Sequence, residues 1–189
     1  MKEAVTKYPV HPIIRKRWSG RAFSDRPITQ ETLNQILEAA SWAPSSMNEQ
    51  PWRYRYAFKE SEAFKKMISC LSAGNRSWAR KAAVLILSLA KTNMGETDNL
   101  NRHALHDVGA ANAHLFFEAT SLGIRGHIMA GFDYDKTIET FKLPLELEPV
   151  AFIALSYPGN VEELEEPYKS RELTPRSRNP ISFFAKRED

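Results

Sequence analysis

The stretch Ala43-Pro44-Ser45-Ser46-Met47-Asn48-Glu49-Gln50-Pro51-Trp52 decides how this chain is read. It sets short hydrogen-bonding side chains between two prolines, directly after a segment with helical periodicity. Upstream, Leu33, Ile36, Leu37, Ala40 and Ala43 recur on one helical face, with Thr29 as the N-cap. Pro44 ends that helix, because a proline disfavours helical geometry in the residue before it and has no N–H to donate. Downstream, Trp52, Tyr54, Tyr56 and Phe58 alternate with Arg53, Arg55 and Ala57, the period of a strand with one buried face. Polar groups held between a helix end and a strand start have the build of a binding loop.

Further along, Phe64, Met67, Ile68 and Leu71 predict a short helix over Ser61 to Leu71, capped by Ser61. The unbroken apolar run Ala82 to Ala90 predicts a strand buried on both faces and central in its sheet. Leu105, Val108, Ala111, Leu115, Phe116, Ala119 and Leu122 predict a long helix from about Asn101 to Leu122, closed by Gly123. Within it, Gly109, Ala110 and Ala113 leave room for another backbone to approach. A short helix over Lys136 to Phe141 and a buried strand over Val150 to Tyr157 follow. From Asn160 to Asn179 the chain is charged, carries prolines and has few apolar anchors, so it cannot bury a core of its own and must lie on something.

Composition bounds the reading. A chain of 189 residues with 42% apolar content builds one core and one domain. Twenty-six basic against 23 acidic residues leave +3, too little to imply a polyanion partner. Cys70 is the lone cysteine, which excludes an intrachain disulfide framework. No apolar run is long enough for a membrane span or a cleavable signal, so a cytoplasmic setting is expected and no membrane partner. No internal repeat and no G-x-G-x-x-G fingerprint supports a Rossmann unit.

Before the loop lies R-K-R-W-S-G-R-A-F, Arg15 to Phe23, whose cations and hydroxyl suit an anionic ligand. These two segments, in this order and separation, resemble the N-terminal signature of the nitroreductase family of FMN enzymes. H-D-V-G-A-A-N-A-H-L-F-F-E-A-T-S-L-G-I-R-G-H-I-M-A-G-F-D, His106 to Asp133, resembles that family's central helix and flavin-edge loop. A-F-I-A-L-S-Y-P-G, Ala151 to Gly159, and R-S-R-N-P-I-S-F-F, Arg176 to Phe184, fall where the family places its last core strand and closing arm. The resemblance spans about Ile14 to Phe184 and is most specific in Pro-Ser-Ser-x-Asn-x-Gln-Pro-Trp.

That resemblance implies an α+β fold with a mostly antiparallel sheet surrounded by helices, in an intertwined homodimer with a flavin site at each interface. It implies one FMN-binding domain over 1–189, with 160–189 a C-terminal arm on the partner subunit. By resemblance, Arg17, Trp18 and Ser19 take phosphate-side and ribityl-side roles, Arg21 lies near the pyrimidine edge, and Arg176 and Arg178 complete the phosphate clamp. A planar guanidinium grips two phosphate oxygens at once, which is why arginine suits that role. Pro44, Ser45, Ser46, Asn48 and Gln50 resemble the groups supplied from the other subunit. Met129, Ala130 and Gly131 resemble the wall of the flavin ring, with a backbone N–H aimed at N5. A common subgroup carries Glu where this chain has Ala130, so a side-chain role there is absent. Trp18 stands where a smaller or basic residue is more usual, which points to contact through its backbone. The implied activity is transfer of hydride from NADH or NADPH through FMN to a small-molecule acceptor of nitroaromatic or quinone type, in a ping-pong scheme.

Blander roles compete. Ser45, Ser46 and Asn48 are the residue types that satisfy loop backbone groups, though this leaves Gln50 and the flanking prolines unexplained. Arginines in a tail are ordinarily surface charges. His103, His106 and Asp107 share a helix turn at a spacing metals use, yet no second ligand cluster accompanies them, and no metal is expected. His127 lies near the implied flavin edge with no assigned proton transfer, and Cys70 beside an apolar face is expected to be inert. Two other classes remain: a flavin store or sensor without turnover, and a nucleic-acid module built on Arg15, Lys16, Arg17 and Trp18 with Arg76 and Trp78. The small net charge weighs against the latter, and no nucleic-acid partner is expected.

Overall fold

A computed structural model describes residues 2–95, 97 and 99–188. Its sheet has four strands, β1 (Trp52–Phe58), β2 (Val84–Lys91), β3 (Arg125–Met129) and β4 (Leu147–Ser156), in the order β1-β2-β4-β3 with every neighbouring pair antiparallel. Around it lie α1 (Pro12–Lys16), α2 (Gln30–Ser41), α3 (Glu62–Cys70), α4 (Ala73–Ala79), α5 (Ala104–Ser121), α6 (Tyr134–Phe141), α7 (Tyr168–Leu173) and α8 (Ile181–Phe184). This is the α+β architecture expected from the sequence.

β2 is central and, apart from Lys91 at its end, buried throughout. Its alternation divides the core in two. Val84, Ile86 and Ala90, with Ile153 and Leu155 of β4, face α2 and α5 through Leu33, Ile36, Ala40, Val108, Ala111 and Leu115. Leu85, Leu87 and Leu89, with Phe152 and Ala154, face the other helices through Phe64, Met67, Leu71 and Trp78. Helices on both faces therefore bury a sheet whose β2 reads as continuous apolar sequence. The register of β2 on β4 shifts at Ser88/Leu89, where Ala151 and Pro149 are successive partners and Val150 is left over. A proline in a central strand is tolerated at such a bulge because it has no N–H to offer the ladder.

Capping follows the sequence closely. The Thr29 hydroxyl accepts from the Thr32 N–H at 3.1 Å, Ser61 from Phe64 at 3.1 Å and Asp133 from Lys136 at 3.0 Å. α5 ends at Gly123, whose φ of +73° is the left-handed geometry that glycine adopts without a Cβ clash. β1 is an edge strand, and its aromatic face is buried only at Trp52; Tyr56 is exposed, its hydroxyl accepting from Gln30.

One expectation needs correction. The segment after α5, read as a flavin-edge loop, begins as strand β3. Its Gly126 lies so close to α5 that a Cβ there would meet the Phe116 ring at 2.3 Å. The charged stretch from Asn160 lies in part on its own chain: Leu164 joins the core and Glu172 is 5% exposed. Polar partners bury this segment where apolar anchors are few. Beyond it, Ile181, Phe183 and Phe184 of α8 are exposed.

Candidate active site

α1 begins at Pro12, which suits a first helical position, and His11 caps it by accepting from the Ile13 N–H at 3.3 Å. The helix stops at Lys16, and Arg17 opens an extended segment whose far end pairs with the chain after β4: Phe23 bridges Pro158, and Gly159 donates to the Ala22 carbonyl at 2.9 Å. Gly159 is required there, since a Cβ would lie 2.3 Å from the Phe23 backbone.

Between this segment and α5 is a cavity of about 500 Å³, within the usual range for small-molecule sites. α5 contributes Gly109, Asn112, Ala113, Phe116 and Phe117; opposite stand Arg15, Arg17, Ser19, Ile128, Arg176 and Arg178. Four arginines thus line it, and none of the residues lining it is Asp or Glu. The Arg17 guanidinium donates to the Ser19 hydroxyl at 3.0 Å, and Arg176 donates to the carbonyls of Arg15 at 2.7 Å and Lys2 at 3.2 Å. Burial, followed by repulsion from Arg176 and Arg178, pulls the pKa of Arg17 down, and burial and Arg178 do the same to Arg176. Asn112 is fixed from behind, its carbonyl oxygen accepting from the half-buried Tyr54 hydroxyl at 2.9 Å and its amide donating to Ser88 at 3.1 Å. Burial raises the Tyr54 pKa, so this phenol stays a donor.

Not every expected residue joins this cavity. Arg17, Ser19, Arg176 and Arg178 converge. Trp18 points the other way, its indole donating to Glu172 at 3.1 Å with Lys2 and Arg176 over its ring. Arg21 spreads over Trp78 and Tyr168, with centroid distances of 5.5 and 5.8 Å, and its buried Nε has no acceptor. Arg15 Nε, at the cavity itself, is likewise buried without a partner. Met129 is core, whereas Ala130 and Gly131 are exposed. The Gly131 carbonyl accepts from the Ser72 N–H and from Asn75, both at 3.0 Å, and a Cβ on Gly131 would lie 2.8 Å from Asn75.

The proline-flanked loop lies at the other end of α5. Ser45 accepts from the Gln50 N–H, and the Ser46 N–H donates to the buried Asp107 carboxylate, both at 3.0 Å. Met47, Asn48 and Gln50 all have positive φ, of 51°, 58° and 47°, conformations that non-glycine residues hold only when the surroundings fix them. No residue of 44–50 lines the arginine cavity of its own chain. Arg15 as a lining residue, Asn112, Ile128 and Glu172 were not singled out from sequence; only the small residues Gly109 and Ala113 signalled the open face of α5. Asp107 binds the loop and His106, and among the described residues no group of three or more His, Cys, Asp or Glu converges. No described helix is long and apolar enough to cross a membrane.

An anion with an organic body suits these residues: guanidiniums with spare donors at one end, Asn112 and the Ser19 hydroxyl between, and Phe116, Phe117 and Ile128 as apolar walls. Residues 14–71 and 56–157 match the sequence profile described as the nitroreductase family. A crystal structure described as an oxidoreductase containing FMN is 34% identical with a TM-score of 0.92, the match covering 96% of this chain and 93% of that one. The FMN reductase [NAD(P)H] of Bacillus subtilis is 30% identical over 163 residues, 75% of this chain and 63% of that protein. A 15.4 kDa protein of Mycolicibacterium smegmatis is 38% identical over 124 residues, 66% of this chain and 82% of that protein.

Proposed function

The chain belongs to the nitroreductase family, and on that footing we propose that it is an FMN-dependent oxidoreductase that moves reducing equivalents from NADH or NADPH to an electron-poor small molecule, a nitroaromatic or quinone, in two half-reactions at one site. The observation that carries this reading is the cavity beside α5 with four arginines and no carboxylate in its lining. Arg15 is paired with Glu3 at 3.1 Å, but the like charges of Arg17, Arg176 and Arg178 repel one another, and a doubly charged phosphate offsets that repulsion.

Arg17, Arg176 and Arg178 hold the phosphate, and Ser19 and Asn112 meet the ribityl hydroxyls. Gly109 and Ala113 leave the helix face flat, while Phe116, Phe117 and Ile128 exclude water from it. Arg21, whose buried Nε has no partner, stands outside the cavity lining and is assigned to the pyrimidine edge, and the backbone N–H groups of Ala130 and Gly131 to N5, by the family likeness alone. When bound, FMN supplies two-electron chemistry, accepting hydride from the nicotinamide and delivering it to the acceptor. The chain's own task is to bind, orient and keep water out, and no side chain need act as acid or base. Because nicotinamide and acceptor use the same face in turn, the kinetic order is ping-pong.

Pro44, Ser45, Ser46, Asn48 and Gln50 serve the cavity of a second copy. The loop is rigidly held yet lines no part of the arginine cavity on its own chain, and the exposed α8 gives the C-terminal stretch an apolar surface to bury against that copy. A homodimer with a shared cofactor of this kind buries on the order of 2,000 Å² or more. Such an enzyme works in the cytoplasm, where reduced nicotinamide is supplied.

Titration with FMN, followed by visible absorption and flavin fluorescence, tests the reading. Stoichiometric uptake is expected, weakened roughly tenfold to a hundredfold in Arg17→Ala, the loss typical of one charge-assisted hydrogen-bonding group. A protein that takes up no FMN contradicts it.

A further inference from the structure

The phosphate side of the cavity is made of two arms of chain, and one buried carboxylate joins them. We propose that Glu172 is a positioning residue that sets the phosphate clamp, holding residues 17–21 and the stretch bearing Arg176 together so that the site prefers a phosphorylated flavin over an unphosphorylated one. The inference rests on the FMN reading above.

Glu172 is 5% exposed and sits near the end of α7, outside the residues that match the family profile. Its carboxylate accepts three hydrogen bonds: from Trp18 Nε1 at 3.1 Å, from the Arg21 backbone N–H at 3.0 Å and from Arg125 Nη1 at 3.3 Å. The first arm alternates accordingly. Arg17 and Ser19 face the cavity, while Trp18 and Gly20 face Glu172. Gly20 permits the close approach, since a Cβ there would lie 2.9 Å from Glu172 Oε1 and 3.0 Å from the Arg125 side chain.

The second arm leaves from the same residue. Lys2 Nζ donates to the Glu172 backbone carbonyl at 2.6 Å, and four residues onward, past the end of α7, Arg176 donates to the carbonyls of Lys2 and Arg15 as it enters the cavity. A carboxylate taken out of water must be paired and hydrogen-bonded to persist. Here its partners are the arm that carries Arg17 and Ser19 and a cation behind it, so its bonds fix the spacing of guanidiniums that otherwise repel one another. Neutralising Glu172 frees the arms to separate, and the group that loses most is the one both arms grip.

The test is the ratio of affinities for FMN and riboflavin, which differ only in the phosphate, measured by flavin fluorescence for the full chain. Glu172→Gln is expected to lower the FMN-over-riboflavin preference about tenfold while leaving riboflavin affinity little changed. Trp18→Phe removes one of the three donors, keeps an apolar ring, and is expected to lower the preference in the same direction by about threefold; its result decides if Glu172→Gln does not fold. Equal losses for both flavins mean a purely structural role and overturn the inference. A wild-type preference that survives both substitutions overturns it alone, whereas a wild type with no preference overturns the cofactor reading and this inference with it.

Discussion

His127 Nδ1 lies 2.9 Å from the carbonyl oxygen of Ser19, so a strand histidine and a cavity hydroxyl residue belong to one hydrogen-bonded unit. The imidazole is buried and packs on Trp78 at 4.6 Å. Burial, then the nearby Arg21, pushes its pKa from 6.5 down to about 4, although its backbone hydrogen bonds act in the other direction. At neutral pH it is therefore uncharged, and its Nδ1–H donates to Ser19.

A pH dependence follows. Between pH 6.5 and 4 the unfolded chain binds a proton at His127 that the folded chain refuses. Its stabilising contribution is thus full above pH 6.5 and is lost as pH falls toward 4, by about 3 kcal/mol. Thermal denaturation across that window should show a shallower loss of Tm in His127→Gln than in the wild type; parallel curves contradict the assignment.

Gly126→Ala places a methyl group 2.3 Å from the Phe116 ring, between β3 and α5. Overpacking of this kind costs about 1 to 3 kcal/mol, and denaturant unfolding should show it. Because Phe116 also lines the cavity, FMN uptake should weaken too. Phe116→Leu in the same chain should recover part of the stability, and a fully stable single variant contradicts the packing.

Asp107 anchors the proline-flanked loop from α5 through the Ser46 N–H. Asp107→Ala leaves that donor without its partner, a loss of about 1 to 3 kcal/mol concentrated in the loop. Amide exchange at Ser46 should accelerate well beyond that of β2, whereas unchanged protection contradicts the anchoring role.

A site shared between subunits makes a distinctive prediction. Arg17→Ala damages one half of a site and Asn48→Ala the other. In a hybrid dimer of the two variants, one site carries both defects and the other carries none. The hybrid should therefore bind FMN tightly at half of its sites, while neither parent does; a hybrid no better than its parents contradicts sharing.

What the sequence made legible followed period and punctuation. α2, α3, α5 and β2 declare themselves by apolar spacing, and Thr29, Ser61, Pro44 and Gly123 mark their ends, all within three residues of the observed bounds. β3 and α4 were missed because R-G-H-I-M and A-G-N-R-S-W-A are short and glycine-bearing, and their geometry is set by contacts with Phe116 and Gly131. Arg17, Ser19, Arg176 and Arg178 were recognised and do converge. Glu172 was not, because a glutamate in a charged stretch reads as solvated, and its burial depends on Trp18, 154 positions away. Arg21 shows the same limit from the other side: its neighbours Trp78 and Tyr168 are remote in sequence.

On the proposed function, this chain takes electrons from a nicotinamide and gives them to a second molecule at one flavin site. Anaerobic titration of the FMN-loaded protein with NADPH and with NADH, then addition of a quinone or nitroaromatic after the nicotinamide is removed, tests it most directly. The visible flavin band should bleach stoichiometrically with at least one donor and return in full on adding the acceptor. A loaded protein whose band neither donor bleaches contradicts it.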